Sequence, residues 1–108
     1  MALTFEFATF TVREGEEEAL LAERSQMIGA LRRAFPGLLA AWLTKRDDGS
    51  WTDVILWQTR ADAERAAQQA KDIPEARAWF RHIGESRGLH HAEVAHEQFF
   101  AVAPRRGT

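Results

Sequence analysis

The chain has 108 residues, 45% hydrophobic and 28% charged, with a formal net charge of −2 and no cysteine. That length and composition describe one folded domain over residues 1–108, with a core over about 3–102, and exclude a disordered chain. Acids and bases are mixed along the chain, so no basic stripe points to nucleic acid, and disulfides, thiolate metal sites and cysteine nucleophiles are excluded.

Residues 3–12, LTFEFATFTV, have strand composition. Leu3, Phe5 and Phe7 alternate to one side, and Phe10 and Val12 fall on the other. Gly15 and three glutamates then open a helix, the acids suiting its positive end. At 100° per residue, Leu20, Met27, Ile28, Leu31 and Phe35 form its apolar face. Arg24 interrupts that face, and Pro36-Gly37 stops the helix. LLAAWLTKR (38–46) and WTDVILWQ (51–58) read as strands joined by the turn DDGS, a hairpin. The alanine-rich run RADAERAAQQAK (60–71) reads as a second helix, broken at Asp72-Ile73-Pro74. A further helical piece follows, with Ala76, Trp79, Phe80 and Ile83 on its inner face. Gly84 and Gly88 are expected to mark its exit, and HAEVAHEQFFAV (91–102) to form the last strand.

The order β-α-β-β-α-β predicts a ferredoxin-like α+β fold, a four-stranded antiparallel sheet with helices on one face. Helices then cover one side only, yet Trp42 opposes Leu43, and Ile55 and Trp57 oppose Val54 and Leu56. A monomer rarely leaves such a patch in water. Burying each of these side chains is worth about 1.5–3 kcal/mol, so a second copy stacked sheet to sheet is the expected solution. No run approaches the ~20 apolar residues of a membrane span, and MALTFEFATF lacks the basic start of a signal peptide. The expectation is a cytoplasmic homodimer without a membrane partner.

Three stretches carry a resemblance: FTVREGEEEALL at the first strand–helix junction, FPGLLA after the first helix, and VILWQTRADAERAA from the third strand into the second helix. In their order and spacing the chain resembles the antibiotic biosynthesis monooxygenase-like family of the dimeric α+β barrel superfamily, over about residues 3–102. The resemblance implies two sheets forming a barrel in a homodimer, with a ligand cavity between sheet and helices. It also implies, for the quinone-forming members, oxidation of phenols or anthrones by molecular oxygen without a bound cofactor. Those members carry an Asn four residues before a Trp on the third strand; the matching positions here look like Asp53 and Trp57. They also use a Tyr after this strand, and this chain has neither Asn nor Tyr.

Asp53 shares a strand face with Trp51, Ile55 and Trp57, where burial raises a carboxyl pKa toward the range of a general base. Wetting at the hairpin end, or pairing with Lys45 or Arg46, is the alternative. Arg24 either points into the cavity and holds a phenolate or snorkels to water. Trp57, Trp79 and Phe80 form either a pocket wall or plain core. All four histidines fall within residues 82–96. His91 and Glu93 share a strand side, but no third metal ligand is apparent. His96 alternates with Val94 and Phe100 and is a candidate base, while His82 lies next to Trp79. Taken with the resemblance, which implies an oxygenase, these residues give Asp53 or His96 as the expected catalytic base and Arg24, Trp57, Trp79, Phe80 and His82 around a small aromatic substrate. Neither a cofactor motif nor a metal site is assigned. The alternatives are a non-catalytic barrel that binds a small molecule, and a haem-binding protein with His82 or His96 as axial ligand.

Overall fold

A computed structural model describes residues 2–101. Its elements are β1 (Thr4–Val12), α1 (Glu17–Ala34), β2 (Leu38–Lys45), β3 (Trp51–Trp57), α2 (Arg60–Gln69), a 3-10 turn (Ala70–Asp72), α3 (Pro74–Phe80) and β4 (Ile83–Glu93). The strands form one antiparallel sheet in the order β2-β3-β1-β4. This is the ferredoxin-like α+β arrangement.

Local chemistry explains the boundaries. Glu17 and Glu18 sit in the first turn of α1 and Arg32 and Arg33 in its last, matching the helix dipole at both ends. At the start of α2, the Thr59 hydroxyl accepts from the Asp62 amide and donates to the Asp62 carboxylate, a reciprocal cap. Pro74 occupies the first turn of α3, where its missing N–H costs nothing. A β-carbon on Gly37 would lie 2.5 Å from Asp62 Oδ2, so any other residue there would displace the Asp62 side chain that caps α2.

Residue parity decides which side chains meet the helices. Glu6 pairs with Ile55 on one side and His91 on the other, and Ala8 with Asp53 and Leu89. These residues, with Thr4, Phe10, Trp51 and Trp57, face α1–α3. Phe10, Leu20, Met27, Ile55, Trp57 and Trp79 are buried there and form the heart of the core. Trp79 is tied across it by an indole N–H donated to the Leu20 carbonyl at 2.8 Å. The opposite face of the sheet carries Phe5, Phe7, Trp42, Val54 and Leu56. Its rings are layered, Phe5 on Phe7 at 5.9 Å and Phe7 on His90 at 5.3 Å, and Trp42 is 51% exposed.

The last strand departs from the sequence-based expectation. β4 runs over Ile83–Glu93, so Ile83, Gly84 and Gly88 lie within it, and 94–101 have no regular structure. The glycines act as bulge residues rather than breakers. The β1–β4 register shifts between Ala8 and Phe10 and again between Phe10 and Val12. Gly88 has φ +124°, and a β-carbon on Gly84 would stand 2.9 Å from Thr11 Oγ1. That hydroxyl accepts from the Glu85 amide, stitching the irregular edge to β1.

Candidate functional site

Arg24 emerges from α1 between the buried turns of Leu20 and Met27 and reaches the sheet. Its guanidinium donates two hydrogen bonds to Asp53, at 2.9 and 2.7 Å, and lies over the Trp79 ring at 5.6 Å. Both side chains are almost fully covered, 12% and 8% exposed. Burial pushes the Asp53 carboxyl above its usual range, while the hydrogen bonds and charge of Arg24 pull it back. The forked geometry is that of a guanidinium on a carboxylate. Neither partner suggested by proximity in sequence is used: Lys45 instead pairs with Glu17 at 3.0 Å and covers Trp51.

Beside this pair a cavity of about 200 Å³ opens between sheet and helices. Asp53, Trp57, Trp79 and Phe80 line it, together with Glu6, Met27, Lys71 and Leu89. Phe80 and Leu89 are 38% and 49% exposed. An apolar cavity of about 150 Å³ is enough for one benzene ring, so this one accepts an aromatic ring with a substituent.

Glu6 is the one acid in this cavity without an ionic clamp. Its Oε1 is buried and makes no hydrogen bond. Burial, and then the negative charge of Asp53, push its pKa up to about 7; the Trp57 indole opposes this without completing a hydrogen bond, its N–H being buried and unpartnered too. His91, directly across from Glu6 on β4, places Nε2 3.5 Å from that oxygen, also buried and unpartnered. An unpaired buried polar atom costs about 1–3 kcal/mol, so three of them at one spot mark a place prepared for a polar group or a proton.

The structure thus brings together five of the residues expected from sequence: Arg24, Asp53, Trp57, Trp79 and Phe80. Two lie elsewhere. His82 follows α3 and is held by Glu16 at 2.8 Å and Glu23 at 3.0 Å, one on each ring nitrogen. Those hydrogen bonds raise its pKa. With both nitrogens engaged it neither lines the cavity nor offers a free axial ligand. His96 lies beyond the end of β4, exposed, its Nε2 3.4 Å from Gln98 Oε1. Its inward direction was inferred from a strand that ends three residues earlier. His91 and Glu93 do share the helix-facing side, but among the described residues no group of three His, Cys, Asp or Glu side chains converges as a metal site. The sequence reading passed over Glu6. The parity that puts Phe10 inward also puts Glu6 inward, a charged residue on a core-facing position.

A ferredoxin-like sheet roofed on one side by helices, with a carboxyl-bearing aromatic cavity beneath them, defines a class of small α+β proteins. The model of the antibiotic biosynthesis monooxygenase family matches residues 5–81, and the chain belongs to that family. Solved structures share the fold. One from Bordetella bronchiseptica with the same family designation is 22% identical, covering 94% of this chain and 100% of its own, with TM-score 0.72. SnoaB of Streptomyces nogalater, a cofactor-independent oxygenase, is 20% identical over 92% of this chain and 97% of its own, with TM-score 0.62. A conserved protein from Methanosarcina mazei is 10% identical, over 85% and 92%, with TM-score 0.62. No curated protein matches the sequence.

Proposed function

We propose that this protein is a cofactor-independent oxygenase of a small, electron-rich aromatic substrate of the phenol or anthrone type, working as a homodimer. Family membership and the likeness to SnoaB support the reaction class. The observation that carries the mechanism is Glu6, an unclamped carboxyl with a pKa of about 7 in the wall of an aromatic cavity. A base poised near neutral pH is suited to taking a proton from a weak acid. The aromatic walls, Trp57, Trp79 and Phe80, hold the ring, and Arg24, from outside the lining, neutralises and fixes the Asp53 carboxylate at the cavity wall, leaving Glu6 as the free base.

For an anthrone the step balances as follows. Glu6 carboxylate removes a C–H proton, and the resulting carbanion, conjugated with the ring oxygen, gives one electron to dioxygen. Radical recombination forms a C–O bond. The peroxide anion is reprotonated, loss of a second C–H proton expels hydroxide, and hydroxide takes that proton to leave as water. One dioxygen is consumed, and one oxygen atom ends in the quinone carbonyl and one in water.

Oxygen uptake against a panel of anthrones and dihydroxynaphthalenes tests this. Glu6→Gln is expected to lower kcat by about 10²–10⁴-fold, the usual contribution of a general base, with little change in KM. No oxygen uptake with any member of the panel, or undiminished kcat in Glu6→Gln, would overturn the reading.

A further inference from the structure

Glu6 lines the cavity, but His91 does not; it stands behind the carboxyl, on the next strand. The Glu6 and His91 side chains are 13% and 11% exposed, and the facing atoms, Oε1 and Nε2, are 3.5 Å apart, neither completing a hydrogen bond. Among the described residues, the other buried acid, Asp53, is met by two hydrogen bonds from Arg24. Here a carboxyl and an imidazole face each other with no cationic side chain between them. His91 also feels the charges of Arg60 and Glu64 of α2, which form a surface ion pair at 3.6 Å.

From this geometry we infer that Glu6 and His91 form a one-proton dyad, in which His91 relays protons between the cavity carboxyl and solvent. A proton taken from the substrate moves to Glu6, from Glu6 to His91 Nε2, and from the ring's other nitrogen to water. The reverse path delivers a proton to the peroxide oxygen, so a complete cycle leaves the protein's charge unchanged. His91 is a positioning residue that acts through Glu6. The relay rests on the oxygenase reading; the dyad itself does not.

The charged groups around the pair set its balance. Asp53 on β3, with Arg24 of α1 held on it, and Lys71 after α2 share the cavity with Glu6. Arg60, Glu64 and His90 surround His91. Burial and the charge of Asp53 favour the protonated carboxyl of Glu6, and burial and the charge of Arg60 favour the neutral ring of His91.

The experiment is a pH titration by NMR of the histidine ring resonances in the full chain without ligand, His91 being assigned by its loss in His91→Gln. The expected result is a His91 curve that Glu6→Gln changes, removing one of two coupled steps. An unchanged His91 curve in Glu6→Gln overturns the dyad, whatever the activity. With anthrone as probe, His91→Gln is expected to lower kcat about tenfold, flatten the pH profile and leave KM in place, and added imidazole to restore the rate. A wild-type kcat and pH profile in His91→Gln overturns the relay. Absence of turnover in the wild type sinks the oxygenase reading, and the titration then still decides the dyad.

Discussion

Arg24 and Asp53 illustrate how a buried ion pair holds only as a pair. Removing one partner strands a charge in the core, which costs about 3–5 kcal/mol, whereas replacing both by apolar groups of similar volume is often neutral. Arg24→Met is therefore expected to lower the unfolding free energy by that amount in urea denaturation, and Arg24→Met combined with Asp53→Leu to regain most of it. Equal losses in the single and double variants would mean that the pair's packing, not its charge balance, sets the cost. Glu6 gives a second test, in pH. Its pKa rises from an ordinary 4.5 to about 7 on folding, so the folded state holds the proton more tightly. Stability is then greatest below pH 4.5 as far as this group is concerned and declines as pH climbs through 7, by about 3 kcal/mol. Glu6→Gln should remove that slope and be more stable than wild type at pH 8. Parallel pH–stability curves for the two would contradict the raised pKa.

At the scale of elements, His82 fastens α1 to the turn between α3 and β4 through Glu16 and Glu23. Its folded pKa is raised above 6.5, so this contribution is complete below pH 6.5 and fades as pH rises through the folded value. The thermal midpoint of His82→Gln should lie below wild type at pH 6 and converge with it toward pH 9; a constant gap would show that the clasp acts by packing rather than charge. Gly88 offers a backbone test. Its φ of +124° is a conformation that L side chains rarely adopt, so Gly88→Ala should cost more than about 1 kcal/mol. The elements up to α3 were legible because apolar spacing, a proline-glycine stop and a turn at Asp47–Ser50 all agreed with one another. β4 was not, since its glycines normally punctuate a chain, and only pairing with β1 reveals them as bulges. The site followed the same division. Asp53, Trp57 and Trp79 were readable from their own elements. Glu6 was readable from the parity of β1 but hidden between two phenylalanines. The role of His91 depends on a cross-strand register that no single strand encodes, and His96 was misplaced with the strand boundary.

For the whole molecule, the sheet's uncovered side is the dominant feature. Phe5, Phe7, Trp42, Val54 and Leu56 share it, and Phe99 and Phe100 beyond β4 are 87% and 78% exposed. Apolar surface of this extent supports assembly of two copies, sheet against sheet. Sedimentation at micromolar concentration is expected to give a dimer, and Trp42→Asp to shift it toward a folded monomer. A wild-type chain that sediments as a stable monomer would remove the dimer from the proposal while leaving the cavity of each subunit in place.

The tryptophans have an uneven distribution with a practical outcome. Trp51, Trp57 and Trp79 are 5%, 1% and 1% exposed, and Trp42 alone reaches solvent. In a chain with no tyrosine, all near-ultraviolet emission comes from these four indoles. Quenching by iodide therefore reads whether Trp42 and its side of the sheet are open or covered by a second copy, and quenching by a ligand seated under the helices reads Trp57 and Trp79. One fluorescence cuvette separates the two surfaces of this protein without any label.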